Sequence, residues 1–198
     1  MDQSSKQKRN SGRWKLFAVI AICASPLIAS YFTYYVIKPE GRTNYGTLLD
    51  PRAYPMPVLK AKTLDGIPAE LETLRGKWIM LQVAPGACDD ACRKRLHDMR
   101  QLRLAQGKNM DRVERVWLIN DASPLETLVM REYDGTHMLR ADAQAIAAWL
   151  PAETTTTESD HLYVIDPLGN LMMRFPKDAD PNRIKKDLSR LLRASSIG

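Results

Sequence analysis

Cysteine and histidine are scarce, with three of each in 198 residues, and no segment of the chain repeats another. Three cysteines allow one intramolecular pair at most, and the missing repeat excludes a solenoid or a repeat array. A strong net charge is also missing from the body of the chain. Of 29 basic and 23 acidic residues, Lys6, Lys8, Arg9, Arg13 and Lys15 stand against Asp2 alone in residues 1–15. The remaining 183 residues hold 24 basic and 22 acidic ones, so the body carries no nucleic-acid footprint. Charge of either sign is absent altogether from Leu16 to Ile37.

That uncharged run of 22 residues would span about 33 Å as a helix, enough for a bilayer core. Pro26 would break an exposed soluble helix, but a membrane helix tolerates it because nearby groups recover the freed carbonyl. Trp14 at one end, and Tyr31, Tyr34 and Tyr35 toward the other, suit the two interfaces. The tail of residues 1–15 is basic, whereas Lys38, Glu40 and Arg42 behind the run nearly cancel. The positive-inside rule predicts a cytoplasmic N-terminus, a transmembrane signal-anchor over 16–37 and an outward-facing remainder. The competing reading is a cleaved signal peptide with Ala29-Ser30 as its weak cleavage site. The length of the run and its aromatics favour the anchor.

Residues 38–56 read as a linker, with Pro39, Gly41, Gly46, Pro51 and Pro55 and no sustained periodicity. From 57 to 198 the pattern is that of one globular domain, with 44% hydrophobic and 26% charged residues over the whole chain. Val58 onward alternates toward a turn at Asp65-Gly66. Lys77 to Ala84 is a short apolar run suited to a strand buried on both faces. A helix is expected from Asp89 to Gln106, stopped by Gly107, and a second central strand from Val113 to Ile119. Helices follow from about Pro124 to Tyr133 and from Ala141 to Leu150, with an exposed loop over Thr154–Thr157. Leu162–Asp166 and Leu171–Phe175 form a hairpin. Asp180-Pro181 then caps a terminal helix that places Ile184, Leu188, Leu191 and Leu192 on one face. Such alternation predicts an α/β layered domain.

Cys23 lies within the apolar run and reads as a packing residue. Cys88 and Cys92 fall where the first buried strand gives way to a helix. There, free N–H groups and the helix dipole favour a thiolate on Cys88. Asp89 and Asp90 oppose that effect, and Arg93, Lys94 and Arg95 partly offset them. Residues four apart on a regular helix have Cβ atoms about 5–6 Å apart, too far for a disulfide. Placing Cys88 in the loop ahead of the helix removes the conflict, and also lets two thiolates converge on a soft ion such as Cu(I). The plain alternative is a static disulfide stapling a loop in an oxidising compartment.

The segments Gly76–Val83, Cys88-xxx-Cys92, Val116–Asp121 and Leu162–Gly169 together resemble the Sco/SenC family across most of residues 57–193. These are anchored, thioredoxin-like proteins that help assemble the copper site of cytochrome c oxidase. The resemblance implies a thioredoxin-like three-layer sandwich behind one transmembrane helix, and puts the family's cysteine pair on Cys88 and Cys92. This chain departs from the family twice. Asp89 and Arg93 stand where the family's CPxxCP pattern has proline. The family's copper-ligating histidine aligns near Glu158, and the nearest histidine is His161, about three residues too close to the following strand.

The resemblance implies thiol–disulfide exchange, with Cys88 as the attacking thiolate and Cys92 as the resolving one. It also implies copper delivery as a second route, with Cys88, Cys92 and His161 as ligands. Partners would be the membrane and a cysteine-containing oxidase subunit or copper chaperone, at the periplasmic side of a bacterial inner membrane. His161 has the alternative of a strand-edge residue. His97 reads as a surface residue on the cysteine helix and His137 as one in a loop after Tyr133, while Met99, Met172 and Met173 read as packing. The rival of a different class is a non-enzymatic assembly module held by a structural disulfide.

Overall fold

The computed structural model describes residues 3–37 and 44–197, with side chains from Trp14 to Tyr35 and from Asn44 onward. The chain divides into two units, Met1–Thr43 and Asn44–Gly198. The first contains helix α1 (Gln3–Phe32), which continues as a π-helical turn over Thr33–Ile37. Trp14–Tyr35 is long and apolar enough to cross a membrane, and none of it is buried within this chain. Pro26 lies inside α1. Lacking an N–H, it cannot bond the carbonyl four residues back, that of Ile22. The Ser25 hydroxyl donates to that carbonyl instead, at 2.9 Å. The expected linker residues 38–43 and the side chains of residues 1–13 lie outside the described residues.

The second unit is built on an eight-stranded sheet with order β1-β8-β7-β4-β5-β6-β2-β3. Its strands are β1 (Thr47–Leu48), β2 (Ala61–Lys62), β3 (Pro68–Ala69), β4 (Trp78–Ala84), β5 (Val113–Ile119), β6 (His137–Arg140), β7 (Leu162–Ile165) and β8 (Leu171–Phe175). The helices are α2 (Asp90–Leu104), α3 (Thr127–Glu132), α4 (Ala143–Trp149) and α5 (Pro181–Ala194). Pairing is parallel between β4 and β5 and between β5 and β6, and antiparallel elsewhere. Every residue of β4 is buried, as its apolar run requires of a central strand.

Alternation along β4 and β7 sorts the core into two faces. Ile79, Leu81 and Val83 join Tyr163 and Ile165 on one face, which α4 covers with Ile146 and Trp149. Trp78 and Met80 join Leu162 and Val164 on the other, packed against Met99 and Leu102 of α2 and Ile184, Leu188 and Leu192 of α5. Helices on both faces make the three layers of the expected thioredoxin-like sandwich. Asp180 caps α5 by accepting from the Asn182 amide, with Pro181 in the first turn as the sequence predicts.

Three segments differ from expectation. The compact unit begins at Asn44 rather than near Pro57. Asp187 of α5, 2% exposed, accepts from the amides of Tyr45 and Gly46, and β1 pairs with β8, so this stretch is stitched to the body. Residues 137–140 form strand β6 rather than a loop, because the run parallels β5 and buries Leu139 against the core. The helix expected from Pro124 shortens to α3, because Asp121 and Ser123 are held in contacts with the cysteine loop and with Arg140.

Candidate functional site

The site forms where β4 ends. Pro85-Gly86-Ala87 turns the chain, and the Cys88 amide donates to the Pro85 carbonyl at 3.1 Å. The neighbouring loop after β5 holds this turn tightly. The Gly86 amide donates to Asp121 Oδ1 at 2.8 Å, and a Cβ on Gly86 would lie 2.3 Å from the Ser123 carbonyl oxygen, so only glycine fits. Arg140 of β6 donates to the carbonyls of Asp121 and Ser123, both at 2.7 Å. Burial pushes the Asp121 carboxyl up. Hydrogen bonds from Ser123 and from the Gly86 amide, with the Arg140 charge, outweigh it and hold the group below the usual carboxylate range. Beneath the turn, the Trp117 indole donates to the Ala84 carbonyl at 3.1 Å.

Cys88 stands ahead of the helix in the left-handed region, at φ 34°. Asp89 is the N-cap of α2, and its Oδ1 accepts from the Cys92 amide at 2.8 Å. With Cys88 outside the helix the Cα atoms come to 5.2 Å, and Cys88 and Cys92 form a disulfide. The geometric conflict of a four-residue spacing is thus resolved by the loop placement that the sequence predicts. None of the three following cations turns to the sulfurs. Arg93 pairs with Glu126 at 2.9 Å and donates to the Cys88 carbonyl, and Lys94 pairs with Asp98. Arg95 is half-buried, its Nε has no partner among the described residues, and burial lowers its pKa.

Both sulfurs are enclosed. Cys88 is 2% and Cys92 0% exposed, within a cluster of Ala84, Leu96, Trp117, Ile119, Val129 and Tyr133. Cys88 is thus scarcely more exposed than Cys92, and neither sulfur is open to solvent. Residues of α3 and the adjoining Tyr133 pack over the pair, and the Tyr133 hydroxyl donates to the Arg93 carbonyl at 3.2 Å. Gln82 of β4, missed by sequence reasoning, reaches the same site. It is fully buried, and its Nε2 lies 3.7 Å from Cys92 Sγ. A glutamine inside an otherwise apolar central strand was the signal that could have found it.

His161 lies just ahead of β7, fully buried. Its Nδ1 donates to the Phe175 carbonyl at 2.9 Å, and its Nε2 accepts from the Thr156 hydroxyl at 2.6 Å. Gln82 pairs with Leu162 in the β4–β7 register. One further step of alternation puts His161 on the face of Tyr163, with their ring centroids 6.0 Å apart, and opposite to Gln82 and the cysteines. The structure therefore joins Cys88 and Cys92 but does not bring His161 to them. Among the described residues, no three His, Cys, Asp or Glu side chains converge as a metal site. Copper implied by the family resemblance does not fit the donors as arranged, because both imidazole nitrogens already have protein partners. Of the remaining residues weighed in the sequence, His97 is exposed on α2 as expected. His137 is exposed on β6, 3.4 Å from Glu114. Met99 and Met173 are buried packing residues, and Cys23 is a free, exposed cysteine on α1.

Residues 78–195 match the family described as "Transmembrane-like, thioredoxin-like, C-terminal domain". No curated protein matches the chain by sequence. Several solved structures share the fold. ScoI of Bradyrhizobium japonicum, with copper bound, is 19% identical, with 68% of this chain and 98% of that one covered and a TM-score of 0.51. A SCO1/SenC family lipoprotein from Bacillus anthracis is 16% identical, over 70% and 95% of the two chains, at 0.52. BsSco, described as a member of the Sco family of cytochrome c oxidase assembly proteins with a disulfide switch, is 15% identical, over 72% and 95%, at 0.53. The resemblance of the sequence to Sco/SenC is thus met in the fold.

Proposed function

This chain belongs to the family of transmembrane-like, thioredoxin-like C-terminal domains, and from that premise we propose that it is a membrane-anchored Sco-type protein acting in cytochrome c oxidase assembly by thiol–disulfide exchange. The observation that carries the proposal is the Cys88–Cys92 disulfide across the strand-to-helix turn at the end of β4. The disulfide switch of BsSco, an oxidase assembly protein with this fold, supports it. With the pair reduced, a Cys88 thiolate attacks a disulfide of the partner and releases one partner thiolate. Cys92, deprotonated, then attacks Cys88 Sγ, which closes the Cys88–Cys92 bond and frees the second partner thiolate. Two electrons pass to the partner, a cysteine-containing oxidase subunit or copper chaperone, and a dithiol reductant restores the pair.

Helix α1 supplies the anchor, and the basic tail of residues 1–15 orients it. The body then faces the periplasm of a bacterial inner membrane, in a compartment where a disulfide persists. Copper delivery remains a second route only through the two thiolates, which suit soft Cu(I). ScoI with copper bound favours it, and the engaged His161 opposes it. The enclosure of both sulfurs favours the other rival, an assembly module with a structural disulfide.

An equilibrium titration separates the readings. Full-length chain in detergent is incubated over a series of dithiol-to-disulfide ratios, and its thiols are trapped by alkylation. Exchange predicts a potential above about −300 mV, whereas structural disulfides generally lie below it. A lower value would leave the stapled module as the better account.

A further inference from the structure

Gln82 is the only buried side chain with a polar atom against either sulfur among the described residues. Its amide is divided in its satisfaction. Nε2 lies 3.7 Å from Cys92 Sγ, while Oε1 has no hydrogen-bond partner among the described residues. A disulfide sulfur has no proton to give, so in the oxidised protein the amide can offer the sulfur only its N–H, and Oε1 has nothing to accept. A buried acceptor without a protein partner is costly, because folding strips it of the water that it bonded in the unfolded chain.

Reduction changes what Cys92 can do. When the S–S bond breaks, the electron pair left on Cys92 Sγ makes a thiolate, and Nε2–H donates to it more strongly than to a neutral sulfur. Once the thiolate takes up a proton from solvent, Cys92 becomes a donor. A turn of the side-chain amide then presents Oε1 to its S–H. Either reduced form is better served by Gln82 than the disulfide is. In a cluster of apolar side chains the neutral thiol is the favoured resting form of reduced Cys92.

We infer that Gln82 tunes this redox pair, stabilising reduced Cys92 through its side-chain amide and thereby making the Cys88–Cys92 disulfide easier to reduce. The inference deepens the exchange reading by adding a residue to the same site. Its test is arranged to fail separately from that reading.

The experiment uses full-length chain in detergent, equilibrated with dithiothreitol over a range of reduced-to-oxidised ratios, with thiols trapped by alkylation. Parent, Gln82→Leu and Gln82→Met are compared. Both apolar variants should shift the equilibrium about tenfold toward the disulfide, a change of about 30 mV to more negative potential for a two-electron couple. Equilibrium constants equal to the parent's in both variants would overturn the role of Gln82, wherever the parent's own potential lies. The parent's absolute potential is what decides the exchange reading. Should neither variant fold, the reduced Cys23→Ser, Cys88→Ser double variant, in which Cys92 is the one remaining thiol, gives a second reading. The S–H stretch of its Cys92 should lie at the lower frequency of a hydrogen-bonded thiol. A free-thiol frequency would overturn the inference.

Discussion

Strands β4 and β7 are neighbours, and the polar groups where β4 ends and β7 begins are treated in opposite ways. The imidazole of His161 is fully matched. Both imidazole nitrogens have partners, and Asp160 accepts from the Thr157 amide and pairs with Lys177 at 3.0 Å. Hydrogen bonding from the Thr157 backbone and from Lys177 holds the Asp160 carboxyl below its ordinary range. At the cysteine turn, by contrast, Gln82 Oε1 lacks a partner among the described residues and Cys88 is held in the left-handed region at φ 34°. An unsatisfied buried polar atom costs about 1–3 kcal/mol, and a strained backbone of this kind is of order 1–3 kcal/mol. Such costs persist where surroundings impose them, and they gather where a change of state relieves them. On the exchange reading proposed above, the cysteine turn is the working end and the matched imidazole of His161 is structure.

Removal of a sulfur should have the largest effect. Cys92→Ser should abolish catalysed exchange, leaving Cys88 able only to form a mixed disulfide that no second thiol resolves. The lost short ring should cost about 2 kcal/mol of stability by the chain-entropy relation. Exchange at the parent rate, followed by alkylation and gel shift, would mean that the working thiol lies elsewhere. His161→Ala comes next. It takes the imidazole from the Phe175 carbonyl, leaves the Thr156 hydroxyl only its contacts to Glu153 and opens a cavity, so about 2–4 kcal/mol should be lost in a denaturant titration. Cu(I) affinity, measured by competition with a chromophoric chelator, should stay at the parent value. Weakened Cu(I) binding would show that the histidine does reach the sulfurs in some state, and the contrast between the two ends would fail.

Access to the enclosed disulfide should respond to a smaller change. Arg93 of the cysteine helix pairs with Glu126 ahead of α3, which packs over the sulfurs. A partly exposed pair of this kind restrains the segment only weakly. Glu126→Gln should therefore speed the reaction of the disulfide with a small thiol by no more than about fivefold, without changing the equilibrium potential. A rate equal to the parent's would place the opening motion elsewhere.

The reach of the sequence divides along the same line. Strands β4 and β5, the hairpin of β7 and β8, and α5 were legible because apolar runs, a Pro-Leu-Gly-Asn turn and an Asp-Pro cap are local signals. The loop position of Cys88 was legible from covalent geometry, since a regular helix cannot close a four-residue disulfide. Strand β6 was not, because four residues with one buried leucine carry too little pattern to stand apart from a loop. The side of the sheet that His161 faces was illegible for a deeper reason. It depends on the register between Gln82 and Leu162, which are far apart in the chain, and a slip of one residue would reverse it. The clamp of Gly86 by Asp121, Ser123 and Arg140 likewise joins three separated segments.

That clamp supports the smallest effect, which is one of pH. Asp121 is held by the Ser123 hydroxyl and the Gly86 amide, and its carboxyl sits below the usual range in the folded protein. A depressed folded value means that the unfolded chain binds the proton more readily. The resulting stability is therefore fully present above the unfolded carboxyl value of about 3.9, and is lost as pH falls through the folded one. Asp121→Asn keeps an oxygen to accept from Gly86 but removes the charge facing Arg140. In urea titrations the variant should be slightly less stable than the parent at pH 7. The gap should narrow as the pH falls below that of the unfolded carboxyl, and it should close once the folded group is protonated. Because Asp121 is only half-buried, solvent screening keeps the gap small. A gap that stayed constant down to acid pH would show that the clamp works through shape alone, with the charge on Asp121 contributing nothing to the cysteine turn.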